Sequence, residues 1–548
     1  MIALRRRTLL AAVLAGGTVT ACTDDGDTAD GDAGGADGAS DGGGSAEAAD
    51  PSAVVAEATF FLRQTEVTAR VHPLVRSGEH LVLTLDLTAE GEAADLEEQE
   101  LLDGDLPNAA NYAWSDGWGS QSGDMREFLG VRLVDLAGDQ VASTAVDAEG
   151  ETVGLTADTS EITDSGPQTL AGTVQIAFAD PGSDALAVYL PKAPLVTDVP
   201  VLGADVPAVD GAEEQLDLAA VEEAPLSPML LMSQDLAQPL RETREEETTT
   251  VAISSDVLFD SSSADLDEEA KSALDEAARR IESHEPGPVT IIGHTDSVDS
   301  DESNLELSRQ RAQAVAEALA DRLGTDEYEI STDGKGESEP IASNDTEDGK
   351  ALNRRVEIVL ETPLRDEQET REMPEFEGRT GTAAEGVQFD GREHLVLRPF
   401  DLQLGDARML QDHLVVTLEV TPTDEDHSGV YGIGQFDTGT SMPSEPDGVS
   451  TYTLLASCGA VGVLVGSTLT YPAFHRAGGP AQTTRPLTDL AMNYPADGGV
   501  ARTLELVFPR DIAGVEAGAE IALQYGVTGP LGFANEETWR MTEVPVEG

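Results

Sequence analysis

Apolar and polar residues alternate with period two near both ends of the chain and take a helical period only in the middle. In "EHLVLTLDLT" (79–88), Leu81, Leu83, Leu85 and Leu87 share one face; in "DHLVVTLEVT" (412–421), Leu414, Val416, Leu418 and Val420 do the same. This is the mark of a half-buried strand. The two segments match position by position in chemical type, and "LAVYLPK" (186–192) corresponds to "LELVFPR" (504–510) at a similar interval. A duplicated domain of about 150 residues is therefore expected, at 56–202 and again at 380–548. Short strands separated by Gly, Asp and Pro turns predict an antiparallel β-sandwich for each copy.

Between 250 and 362 the period switches. "VAISSDVLF" (251–259) reads as a strand, and "DLDEEAKSALDEAARRI" (265–281) lines up Leu266, Ala270, Ala273, Leu274, Ala277 and Ile281 on one helical face. Acids gather in its first turns and Arg279 and Arg280 in its last, as the helix dipole favours. "PVTIIG" is the next strand, and "NLELSRQRAQAVAEALADRL" the next helix, with Leu307, Val315, Ala318 and Leu319 toward the sheet. "YEISTDGKG" and "RRVEIVL" add two strands, giving a β-α-β-α-β-β, α+β domain with its helices on one face. Two low-order segments, 203–249 (ending "RETREEETTT") and 363–379, read as linkers on either side of it.

Composition adds constraints. The 548 residues carry a formal charge of −72, from 104 acidic against 32 basic side chains. Such a surface opposes nucleic acid and anionic headgroups as partners. Lysine occurs only at 192, 271, 335 and 350, so deliberate cationic contacts fall to arginine. The first 21 residues combine Arg5–Arg7 with a short apolar run, as an export signal does. Val19-Thr20-Ala21-Cys22 resembles a bacterial lipobox, which implies lipid on the Cys22 thiol and attachment to a membrane. Residues 22–55, rich in Gly and Asp, lack the apolar side chains needed to fold and read as an acidic tether. Its Gly-rich part has an r.m.s. reach of roughly 30 Å. The other cysteine, Cys458, sits in an apolar run as a buried thiol. The flanking domains loosely resemble immunoglobulin-like domains of exported bacterial lipoproteins.

The central domain carries five ordered blocks. They are Phe259-Asp260, Gly293-His294-Thr295-Asp296, Asn304-x-x-Leu307-Ser308-x-x-Arg311-Ala312, Gly334-x-Gly336 with Pro340-Ile341-Ala342, and Asn353-Arg354-Arg355-Val356-Glu357. On these, residues 250–362 resemble an OmpA-like (MotB-type) peptidoglycan-binding domain. The resemblance implies a non-catalytic domain that holds the diaminopimelate residue of peptidoglycan stem peptides. A receptor for that zwitterionic centre needs a fixed anion for the ammonium and a fixed cation for the carboxylate, and Asp296 and Arg311 suit those two tasks. Asn304, Ser308 and Arg311 fall at i, i+4 and i+7 of one helix and share a face. Arginine matters because its planar fork engages a carboxylate through two hydrogen bonds. By resemblance Asp260, Thr295, Asn304 and Arg354 complete the pocket. Arg309 and Arg355 read as scaffold or surface, and His294 as a turn hydrogen bonder. The loop "SVDSDES" departs from the family by lacking its glycine and aromatic, and Lys350 stands where an arginine is usual.

His80 and His413 recur at one place in the two copies, yet no His/Cys cluster accompanies either, so no metal is expected. Tyr112, Trp114 and Trp118 read as the closed end of a sandwich, with sugar stacking as the alternative. No Ser/His/Asp, Cys/His, zinc or paired-carboxylate arrangement supports catalysis, and no cofactor is expected. The expectation is an exported, lipid-anchored protein that grips peptidoglycan and couples membrane to wall. The alternative is a sensory or adhesin-like surface lipoprotein whose sandwiches bind another ligand.

Overall fold

A computed structural model describes residues 50–62, 65–92, 130–158, 167–365 (without 213, 239, 269, 324–326, 342, 343 and 346), 372–389, 400–423, 461–476, 484–488, 499, 501–525 and 538–548. The signal segment, Cys22, most of the tether, Cys458 and the Tyr112–Trp118 segment lie outside the described residues. Among the described residues no helix is long and apolar enough to cross a membrane.

The first module contains β1 (Ala56–Leu62), β2 (Thr65–Val71), β3 (Leu74–Ser77), β4 (His80–Glu92), β5 (Arg132–Asp135), β6 (Gln140–Ser143), β7 (Gly154–Asp158), β8 (Pro167–Ala179), β9 (Ala185–Tyr189) and β10 (Val196–Leu202). β4 is flanked by β2 and β3 on one edge and by β8 on the other; β10, β9, β5 and β6 pair in that order. Leu81, Leu83, Leu85 and Leu87 all point into one core with Leu133, Phe178 and Val188. Their alternation is what seats β4 between the two sets of strands.

The segment 203–249, expected as a linker, is instead structural. β11 (Leu226–Pro228) pairs with β6 of the first module, and after Met229 the chain continues as β12 (Leu230–Asp235), β13 (Leu240–Glu245) and β14 (Thr248–Ser254). The acidic "RETREEE" run hid β13 because that strand draws on ladders and ion pairs rather than an apolar face. Glu242 meets Arg280 at 3.4 Å, and Glu245 meets Arg476 at 2.6 and 2.9 Å.

The central domain follows with α1 (Ser255–Leu258), α2 (Ala270–Glu282), β15 (Pro288–His294), α3 (Asp301–Leu323), β16 (Glu329–Gly336), α4 (Glu347–Asn353) and β17 (Arg355–Leu360). The sheet runs β16–β15–β17–β14, with only β15 and β16 parallel, and α2 and α3 pack on one face. Three local details differ from the pattern reading. The first strand stops at Ser254, whose side chain caps α1 by accepting from the Asp256 N–H. α2 begins at Ala270, whose N–H is taken by the Asp267 carboxylate at 2.8 Å, so Asp265–Glu268 precede the helix. α4 carries too few apolar residues to announce itself.

The second module holds β18 (Arg379–Thr382), β19 (Val387–Phe389), β20 (Phe400–Leu410), β21 (His413–Pro422), β22 (Val461–Val465), β23 (Thr468–Thr470), β24 (Phe474–Arg476), β25 (Thr484–Pro486), β26 (Arg502–Arg510), β27 (Glu520–Tyr525) and β28 (Trp539–Pro545). One sheet is β19–β20–β21–β26. The order β18–β28–β27–β22–β23 continues through β12, β13 and β14 into the central domain as one thirteen-stranded sheet.

The same ladders recur in both modules. β3–β10–β9–β5–β6–β11 is matched by β18–β28–β27–β22–β23–β12. A triangle of backbone bonds joins Ala145, Ala177 and Val153 at 2.8–3.0 Å, and the same triangle joins Ala473, Val507 and Leu487 at 2.6–3.2 Å. Val507 thus stands where Ala177 does. This corrects one expected landmark: "LELVFPR" in β26 is the counterpart of β8, while "LAVYL" in β9 answers to β27. Both candidate strands are apolar, alternating and followed by Pro, so local pattern could not separate them; their ladder partners do. Between the modules, Val134, Tyr189 and Leu195 pack against Val415, Leu487 and Val507.

Candidate ligand-binding site

The site forms where β15 ends over α3. A Cβ on Gly293 would lie 2.1 Å from the Ser308 carbonyl oxygen, so glycine is what allows strand and helix to approach this closely. Gly336, at φ +56°, donates its N–H to Ser308 Oγ at 3.0 Å and accepts the Thr295 N–H at 2.9 Å. Three segments therefore meet at the fully buried Ser308, and α3 presents Asn304, Ser308 and Arg311 on its buried face.

Arg311 is 4% exposed. Its Nε donates to the Ser263 carbonyl at 2.9 Å, and its guanidinium lies 5.1 Å from the Phe259 ring centroid. Among the described residues its two terminal nitrogens donate no hydrogen bond. Burial pulls its pKa below the arginine value; Asp256 opposes this, Arg354 adds to it and Asp296 opposes it. The arginine is thus oriented by its inner nitrogen and ring face, with its outer edge left for an anion.

Asp296 does not pair with Arg311. Its Oδ2 accepts from Arg354 Nη1 at 2.7 Å, and its Oδ1 accepts the Val298 N–H at 3.2 Å. Arg354 in turn donates Nε and Nη2 to the two oxygens of Asp256, at 2.9 and 2.6 Å. The Asp256 fork, then Asp296 against the opposing effect of burial, raises Arg354 above its ordinary value. One guanidinium therefore serves two carboxylates, a cluster of net charge −1 facing Arg311.

The remaining expected residues divide by task. Asn304 Nδ2 donates to the carbonyls of Asp296 (3.1 Å) and Asp299 (3.3 Å) and to Glu337 Oε2 (2.5 Å), so it holds the acidic 296–300 loop in place of the missing glycine. Thr295 is buried, and its hydroxyl has no partner among the described residues. Asp260 is exposed, and its carbonyl closes the turn to the Ser263 N–H at 3.0 Å that aims the Ser263 carbonyl at Arg311. Asp256, Ser263 and Glu337 were missed by pattern reading. Asp256 fell in a segment read as strand; the single turn of α1 re-aims it toward Arg354.

Behind the site, Glu357 lies 3.4 Å from His294 Nε2 and accepts from Arg355 Nε at 2.6 Å. Burial would raise its carboxyl, but the His294 ring and Arg355 together hold it down to about 2. His294 is thereby part of the sheet's packing, and Arg355, 5% exposed, is buried scaffold. Lys350 pairs with Glu347 at 2.9 Å. His413 has its Nε2 3.0 Å from Asp139 and its Nδ1 3.1 Å from the Gln411 carbonyl, bridging the two flanking modules. Among the described residues no three His, Cys, Asp or Glu side chains are placed to hold a metal. A cleft lined by Asp235, Glu242, Arg244, Glu276 and Arg280 lies between the central domain and the β22–β23 turn, where Arg280 already meets Asp235, Glu242 and Glu276.

Residues 258–354 match the OmpA family. The probable lipoprotein YiaD of Escherichia coli (strain K12) is 43% identical over 122 residues, covering 22% of this chain and 55% of that protein. Outer membrane protein A of Bordetella avium is 36% identical over 125 residues, covering 23% and 64%. The chain thus spans a little over half to just under two thirds of these curated relatives. The crystal structure of the peptidoglycan-associated lipoprotein from Burkholderia pseudomallei is 31% identical, covering 19% of this chain and 86% of that one, with a TM-score of 0.17.

Proposed function

Residues 258–354 form an OmpA family domain, and on that premise we propose that the protein binds the diaminopimelate residue of peptidoglycan stem peptides without catalysing a reaction on it. The observation that carries this reading is Arg311: a buried guanidinium held by Ser263 and Phe259, its outer nitrogens unbonded to the described residues, opposite an Asp296 cluster of net negative charge. A zwitterionic centre satisfies both sides, with its ammonium toward Asp296 and its carboxylate on the Arg311 fork. The buried Thr295 hydroxyl, without a partner among the described residues, supports a ligand at this spot as well, since such groups are ordinarily bonded.

Lipid on Cys22 would hold the chain at a membrane, and an exported location in the cell envelope follows from the same segment. We read the flanking modules as immunoglobulin-like sandwiches on their mainly antiparallel strands, β3–β10 and β18–β28 being the parallel pairs. The sheet that runs unbroken from β16 to β18 supports a coupling role, because load on the wall site would pass to the second module through backbone ladders. Avidity at a membrane surface would reinforce a single weak site.

Calorimetric titration of the mature chain with meso-diaminopimelate, free and carboxyl-amidated, tests the reading. Amidation or Arg311→Ala is expected to lower affinity about 100-fold, the loss of a charged hydrogen-bond pair. Equal affinity for both ligands would defeat it.

A further inference from the structure

Asp256 lies just outside the stretch that matches the OmpA family. It stands in the first turn of α1, half exposed, with both oxygens on Arg354. Without it, Arg354 would face Asp296 alone through Nη1, and the pair would be neutral. With it, the single guanidinium is divided, and the Asp256–Arg354–Asp296 group keeps one net negative charge. We propose that Asp256 is a positioning and specificity residue: by occupying the Nε–Nη2 fork of Arg354 it prevents that guanidinium from serving Asp296 alone, leaves the group a net negative charge for an ammonium, and so selects a zwitterionic ligand over a plain carboxylate. This rests on the diaminopimelate reading of the site.

Two further observations agree. The fork engages two of the three donor nitrogens of Arg354, so the guanidinium plane is set by Asp256 and Nη1 is the nitrogen aimed at Asp296. Asp256 is also the foremost charge that favours the ionised form of Arg311, so one carboxylate influences both halves of the site. Loss of Asp256 would make the surroundings more positive, weakening an ammonium's contact and strengthening a carboxylate's.

The test compares meso-diaminopimelate with pimelate, which keeps the carboxylates and lacks both ammonium groups, by calorimetry on the full mature chain. The wild type is expected to prefer diaminopimelate. Asp256→Asn should weaken diaminopimelate binding and tighten pimelate binding, narrowing the preference about tenfold, the scale of one partly solvated charge contact. Asp256→Glu, which keeps the charge, should restore most of the preference. If Asp256→Asn weakens both ligands equally, or leaves their ratio unchanged, Asp256 is only a structural support and the proposal fails. If the wild type binds no diaminopimelate, the reading of the site falls first, and this proposal with it.

Discussion

Glu505 and Glu357 are both glutamates of largely buried strands, one at the joint between the flanking modules and one behind the candidate site, and they respond to burial in opposite ways. Glu505, fully buried on β26, accepts from the Leu195 N–H at 3.2 Å, from Arg408 at 3.1 Å and from the Thr417 hydroxyl at 2.7 Å. Burial still pushes its carboxyl up to about 7, against Arg408 and Thr417. Glu357 is held down to about 2 although burial opposes this, because the His294 ring and Arg355 both face it. Arg408 is divided with Asp406, which it contacts at 2.7 and 2.8 Å, so only part of its charge serves Glu505. Whether a buried acid's carboxyl rises or falls therefore depends on whether the groups facing it outweigh its desolvation. The joint is also closed, with both carboxylate oxygens engaged, whereas the site leaves the Arg311 edge and the Thr295 hydroxyl without partners among the described residues. The first arrangement suits holding modules together; the second suits a ligand.

Three changes test this contrast. Glu505→Ala strands the Leu195 N–H and Thr417 hydroxyl at a buried joint and should cost about 3 kcal/mol in urea denaturation of the full chain; a cost below about 1 kcal/mol would mean the joint does not depend on it. Glu357→Gln should cost on the order of 2 kcal/mol at neutral pH. Because the folded carboxyl lies below its ordinary 4.5, this contribution is present above 4.5 and fades as pH falls toward about 2. For Glu505 the sign reverses: its folded value lies above 4.5, so its contribution is complete below 4.5 and is lost as pH rises to about 7. Wild-type-minus-variant stability profiles for the two positions should slope in opposite directions with pH; parallel slopes would sink the comparison. The smallest effect is Thr295→Val, which should weaken diaminopimelate binding about fivefold while leaving the melting temperature unchanged or slightly raised, since it removes a buried hydroxyl that has no partner among the described residues. Unchanged binding would remove Thr295 from the site.

Much of the central domain was legible locally. Helical and strand periods were enough to place β15 and α3, because each depends on residues within one or two turns of chain. The 203–249 strands were not legible, since the acidic β13 shows no apolar face and its ion-pair partners lie far along the chain on α2 and β24. The pattern match of β26 to β9 failed because the true counterpart, β8, is identified only by its ladder partners.

The order of residues by itself therefore determined the main strands and helices of the central domain and the repeated β4 and β21 pattern. Only the tertiary structure decided which carboxylate each arginine takes. Arg354 reaches Asp296 across 58 positions and Asp256 across 98, so that choice is made by the packing of β17 against β14 and β15. An ion pair is specified by distance in space, and alternation along the chain constrains only which face a side chain leaves from.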